Sequence, residues 1–179
     1  MKCRNCKQTL TNPQRRPFEV WCSPDCAIAI WRAKEAKQEA QELRRRREAI
    51  KPRAQWMKEA QTAVNAWVRY RDRDLPCVSC GRMHQGQWHA GHLLSTGARP
   101  ELRFDEKNIW KQCSACNLHL SGNIVLYRAE LVRRIGLAEV ERLEGPQPPK
   151  KYSIPELKAI RDEYKTRLKA STRTVDSNP

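Results

Sequence analysis

The sequence predicts a small α+β chain stapled by metal, not one held by a single large apolar core. Three observations carry this. Eight cysteines fall in four close pairs, with none left over. Hydrophobic residues make up 39% of the 179 residues against 31% charged, and the mean hydropathy is −0.84. Long stretches of Ala, Glu, Lys, Arg and Gln favour helix, while only short segments alternate as strands do. A chain of this length accommodates one or two domains.

The cysteines are Cys3, Cys6, Cys22, Cys26, Cys77, Cys80, Cys113 and Cys116, spaced C-x2-C, C-x3-C, C-x2-C and C-x2-C. A C-x2-C turn aims two thiolates at one point, and two such turns surround a tetrahedral Zn²⁺. The simplest partition is local. Cys3, Cys6, Cys22 and Cys26 would hold one structural zinc, and Cys77, Cys80, Cys113 and Cys116 a second. Redox chemistry or disulfides are the competing uses of the same spacing. The opening residues MKCRNCKQTL lack an apolar signal region. A reducing, cytoplasmic setting is therefore expected, where disulfides do not persist. No run of eighteen apolar residues occurs, so no membrane helix is expected.

Thirty-five Lys and Arg against twenty Asp and Glu leave a formal charge of +15. A pI near 9.8 points to a polyanionic partner, most commonly nucleic acid. Solubility alone is the competing explanation.

Four segments are expected along the chain. Residues 1–31 form a zinc knuckle, with Pro13, Pro17, Phe18, Val20 and Trp21 between its cysteine pairs and FEVWC reading as a short strand. Ser23 then caps a helix with Pro24 in its first turn. That helix runs to about Ile50, with Ala27, Ile28, Ile30 and Trp31 expected to pack on the knuckle. Residues 32–72 form a basic helical arm. Arg44, Arg45, Arg46 and Arg47 project around it and suit phosphate contact, a solvated face being the alternative. After Pro52, the residues Trp56, Ala60, Ala63, Val64, Trp67 and Val68 make an amphipathic stripe, fit to dock on the next domain or on a second subunit. Residues 73–135 form the central domain. Residues 136–179 form an extension with a stiff Gly145–Pro149 linker, a capping box at Ser153–Glu156, a helix face of Leu157, Ile160, Tyr164 and Leu168, and a frayed tail from 171.

The central domain holds all four histidines. CVSCG, with Gly81 ending the knuckle turn, is followed by QWHAGHLLS. A polar loop, Asn108-Ile109-Trp110-Lys111-Gln112 and then Cys113-Ser114-Ala115-Cys116-Asn117 come next. The order is knuckle, strand with histidines, loop, short strand, knuckle, helix.

These residues resemble the HNH, or ββα-metal, endonucleases in their four-cysteine zinc branch. With LEGPQPPKKYSIPELKAIR and the N-terminal CRNCK and WCSPDC, the likeness extends from residue 3 to about 168. Within that branch the chain is similar to the phage lambda NinG family, also called Rap, linked to recombination. The resemblance implies a ββα-metal core with one catalytic Mg²⁺ or Mn²⁺. His92 would be the general base, Asn108 would fix the loop by hydrogen bonding, and Asn117 would ligate the catalytic ion. The family pattern commonly has an aspartate just ahead of the base, where this chain has Gly91. His89 is then a candidate ligand, but positions 89 and 92 lie on opposite faces of a regular strand, so a bulge at Gly91 would be needed. His119 is a second candidate. His84 matches no motif and reads as a surface residue.

Arg99, Arg103, Lys107 and Lys111 are the expected DNA contacts of this domain, positioning the chain on phosphates without reading sequence. The resemblance implies a structure-selective endonuclease of phage recombination, acting on branched DNA such as Holliday junctions or D-loops inside the bacterial host cell. Cutting two strands implies two active sites, hence a homodimer through 32–72. A non-catalytic zinc-dependent DNA-binding protein and a sequence-specific nicking enzyme are the rival readings.

Overall fold

The computed structural model describes residues 1–11 and 16–175, so Pro13 and positions 176–179 lie outside the described residues. The chain divides at Pro52 into two compact units, 1–51 and 52–179. This regroups the four expected segments. The helix after Pro52 joins the central domain and the C-terminal helix, and no longer belongs with the arm before it.

In the first unit Cys3, Cys6, Cys22 and Cys26 bring their sulfurs within 4.8 Å of one another. Sulfurs about 2.3 Å from a tetrahedral zinc stand roughly 3.8 Å apart. The Cys6–Cys22 and Cys22–Cys26 separations, 3.3 and 3.6 Å, suit such an ion. Lys7 sits at φ +65° and donates its N–H to the Cys3 carbonyl, the left-handed turn that Gly81 makes in the other knuckle at φ +67°. FEVWC is not a strand. Its Val20 carbonyl accepts the Arg4 N–H at 2.8 Å, and the local bridge pairs Lys2 with Thr9 instead.

Helix α1 spans Pro24–Ile50, with the Ser23 hydroxyl accepting from the Cys26 N–H. Cys26 is its only buried residue. Ile28 and Trp31 are 46% and 56% exposed, contrary to the expected packing on the knuckle. So small a knuckle has too little apolar surface to cover them.

The second unit begins with α2 (Arg53–Arg71). Its stripe is buried as the spacing predicts, with Trp56, Ala60, Val64 and Val68 inaccessible to solvent. The stripe packs on α5 (Ile154–Val175) through Leu157, Ile160 and Tyr164, together with Phe104, Ile109 and Tyr152. Because α5 covers it within the chain, the stripe is not available to pair with a second subunit. The capping box forms fully. Ser153 N–H donates to Glu156 Oε2 at 2.7 Å and Glu156 N–H donates to Ser153 Oγ. The tail expected to fray from 171 stays helical to Val175, and Tyr70 donates to the Ser171 carbonyl.

Strands β1 (Trp88–His92) and β2 (Ile109–Cys113) pair antiparallel with unbroken register, His89 opposite Gln112 and Gly91 opposite Trp110. Arg71 and Asp72 staple the end of α2 to β2. The Asp72 carboxylate takes the Lys111 N–H, and Arg71 donates to the Ile109 carbonyl. On the other side, α3 (Ile124–Ile135) and α4 (Leu137–Glu144) close a second core of Val78, Leu93, Leu102, Tyr127, Leu131, Val140 and Leu143. Among the described residues no helix is long and apolar enough to cross a membrane.

Cys77, Cys80, Cys113 and Cys116 form the second set, again within 4.8 Å. Burial disfavours the Cys77 thiolate, but backbone N–H groups of Cys113, Cys80 and Ser79 pull its pKa below the ordinary thiol value. Ionised sulfur is the form that binds zinc. His84, read from sequence as a surface residue, stands with Nε2 3.1 Å from Cys80 Sγ and its ring edge-on to Trp88.

Asn108 is fully buried and clamps the loop between the strands. Its side chain accepts from Leu94 N–H at 2.9 Å and donates to the carbonyls of Leu94 and Leu102. Its backbone carbonyl takes the Leu93 N–H. Asn108→Ala leaves both Leu94 backbone groups unpaired and should cost about 3 kcal/mol, read as a lower urea midpoint of the zinc-loaded chain. Both cysteine sets should each carry one zinc. Chelation should release two zinc per chain by colorimetric assay and unfold the second unit, seen as lost tryptophan fluorescence order and far-UV signal.

Candidate metal and phosphate site

Directly after β2, Ser114 leads into one helical turn, Ala115–His119. Cys116 in this turn is held by the cysteine set, so its neighbour Asn117 is carried to the end of β1. The helix expected from about Ser114 is interrupted here. Ser121 and Asn123 take positive φ, as does Gly122, and α3 starts only at Ile124. The break leaves an open cleft of about 440 Å³ lined by His92, Leu93, Ser95, Asn117, Gly122 and Ile124 among others. The imidazole and the amide separated by 25 positions thus meet in one cleft.

His92 Nε2 lies 3.0 Å from the Arg103 carbonyl. A carbonyl oxygen only accepts, so Nε2 carries the proton and Nδ1 keeps the lone pair. Burial pushes the His92 pKa below 6.5; the Arg103 carbonyl opposes this and the Arg103 charge adds to it.

His89 is not brought into the cleft. The register has no bulge, and His89 Nε2 meets Ser114 Oγ at 2.9 Å. That hydroxyl in turn donates to the Gln87 carbonyl. His119 is exposed and does not line the cleft.

Gly91 has a direct packing reason. A Cβ there would stand 2.1 Å from Gln112 Oε1 and 3.1 Å from Asn117 Oδ1. Gln112, named in the sequence analysis only as part of the second strand, is fully buried. Its Nε2 donates to Ser79 Oγ and to the Gly122 carbonyl, and its Oε1 has no hydrogen-bond partner. Sequence reasoning missed this residue because an amide one position before a cysteine carries no spacing signal.

The donors fit a hard divalent ion in type, since amide oxygens are ligands of Mg²⁺-class ions. Among the described residues no carboxylate lines the cleft.

The basic residues divide. Lys111 is buried, with Nζ donating to the Arg73 carbonyl and lying 4.2 Å from the Trp88 ring. It is therefore not a DNA contact, contrary to the sequence reading, because β2 turns it toward α2. Arg99 is tied to Glu101 and to the Glu144 and Gly145 carbonyls, anchoring the linker. Arg103 reaches Gln61 at 3.4 Å. Lys107 is exposed beside Glu139. Arg44, Arg45, Arg46 and Arg47 are exposed on α1, and the ion pairs of the first three with Glu42 and Glu48 are solvent-facing and weak.

Comparison with known proteins agrees with the motif order. The family model described as bacteriophage lambda NinG protein matches residues 1–174. The NinG proteins of Salmonella phage P22 and Escherichia phage lambda are each 47% identical over 167 residues, covering 83% of this chain and 82% of theirs. That of Escherichia phage 933W is 42% identical over 186 residues, covering 94% of this chain and 92% of its own. No solved structure matches. The chain belongs to the bacteriophage lambda NinG family.

Proposed function

We propose that the protein is a metal-dependent endonuclease of phage recombination that cuts branched DNA. The observation that carries this reading is the shared cleft of His92 and Asn117, with His92 held by the Arg103 carbonyl. His92 would take a proton from the attacking water at Nδ1, a role open to a buried, neutral imidazole at pH 7. Asn108 holds the loop that presents the Arg103 carbonyl to His92. Asn117 Oδ1 would be an oxygen ligand of the catalytic ion. A bound Mg²⁺-class ion would supply positive charge to the scissile phosphate and the leaving 3′-oxygen.

Substrate shape has its own support. Ile124, which lines the cleft, is exposed, as are Leu118, Leu120, Val125 and Leu126 close to it in the chain, Val125 by 81%. Apolar side chains at a phosphate-binding surface suit unstacked bases, which a junction supplies at lower deformation cost than a duplex. Lys107 and the Arg44–Arg47 block would supply phosphate contacts. Two copies would be needed to cut both strands of a junction.

With labelled four-way junction and Mg²⁺, the wild type should cleave. His92→Ala should be slower by 10²- to 10⁴-fold with two zinc retained. Equal measurable rates would remove His92 from the chemistry and overturn this reading, and no cleavage by either would leave a DNA-binding protein without catalysis. Linear duplex of the same sequence cut as fast as the junction would point instead to a sequence-specific nicking enzyme. The pH profile follows from the direction of the His92 shift. The neutral ring is the active form and burial lowers its pKa. The acid limb of the activity profile should therefore lie at lower pH than an ordinary imidazole would give, and His92→Ala should lack that limb.

A further inference from the structure

Resting on the reading of a divalent ion at Asn117, we infer that Gln112 supplies a second protein oxygen to that ion, in place of a side chain at position 91. Three observations converge. First, Gln112 Oε1 is buried with no hydrogen-bond partner. A buried amide oxygen left unpaired is unfavourable, so it calls for a reason. Second, its direction is set by chemistry. The Gly122 carbonyl can only accept, so the amide nitrogen must face Gly122 and Ser79. The oxygen is then turned the other way, toward Gly91 and Asn117. Third, Gln112 Oε1 and Asn117 Oδ1 flank the same small volume, 2.1 and 3.1 Å from where a residue-91 Cβ would stand. Any side chain at 91 would need the space that Gln112 occupies.

The glycine and the glutamine therefore act as one exchange. A ligand projecting from β1 is absent, and an oxygen from β2 reaches the same volume across the sheet. Both donors are uncharged. Two neutral amides hold a divalent ion weakly by themselves, so the ion would bind more firmly with the DNA phosphate than before it. That ties metal loading to substrate.

The test measures metal binding, not cleavage. Zinc-loaded full-length chain is titrated with Mn²⁺, and free Mn²⁺ is read by electron paramagnetic resonance. Wild type should bind one Mn²⁺. Gln112→Ala should raise the dissociation constant tenfold or more, within the range that loss of a supporting partner produces at metal sites. Gly91→Ala should do the same, because its Cβ displaces Gln112 Oε1 while every Gln112 nitrogen contact is left available. The double variant Gly91→Asp with Gln112→Ala should restore or exceed wild-type affinity, since a carboxylate then enters the vacated volume. Two zinc per chain and unchanged far-UV circular dichroism establish folding; should Gln112→Ala fail this, Gly91→Ala decides. Wild-type affinity in Gly91→Ala, or in a folded Gln112→Ala, overturns the inference, as does a wild type that binds no Mn²⁺. If the wild type still cleaves junctions with Mn²⁺ and His92→Ala does not, the nuclease reading survives that failure. If it neither binds nor cleaves, both fall together.

Discussion

The geometry of the second unit depends on the four sulfurs of Cys77, Cys80, Cys113 and Cys116 gathering at one point. The knuckle before β1 and the turn after β2 are 33 or more positions apart, and the two-stranded sheet between them is too small to fix both ends. Two paired strands alone are marginal in water. Once the sulfurs converge on an ion, the ends of the sheet are joined covalently in effect, and the loop-closure entropy is met by coordination. Asn117, the residue after the last sulfur, then has little freedom left. Its position against β1 follows from the cluster.

The cleft is shaped by close approach more than by charge. Gly91 lets the Gln112 amide lie against β1, and the run of positive φ at Ser121, Gly122 and Asn123 stops the helical turn from closing over the opening. Asn108 fastens the loop from below through backbone groups of Leu94 and Leu102. His92 takes its hydrogen bond from the same loop. The site is therefore built from neutral side chains held by backbone, an arrangement that can be preorganised without the desolvation cost of buried charge.

Several basic side chains of the second unit lie against indole rings. Arg71 stacks on Trp110 at 4.5 Å, Lys158 and Arg161 on Trp56 at 4.6 and 4.7 Å, and Arg167 on Trp67 at 4.5 Å. Glu106 is held below the usual carboxylate range: burial opposes this, but Arg167, Tyr164 and Trp67 outweigh it, joining the loop to α2 and α5. The arginines of α1 and the exposed Lys107 remain on the surface.

Sequence by itself determined what local spacing encodes. The two cysteine sets, the α2 stripe, the capping box at Ser153 and the strand–knuckle order were legible, because each rests on covalent proximity or on the period of a helix or strand. The pairing of His92 with Asn117 was legible only through motif resemblance. Tertiary structure decided the rest. It chose which ring nitrogen of His92 is held, turned Lys111 into the interior, kept His89 out of the cleft and took up the α2 stripe with α5. It also set the Gln112 oxygen over Gly91. Each of these is a contact between segments distant in the chain, and side-chain orientation at such contacts is fixed by packing against partners that periodicity does not name.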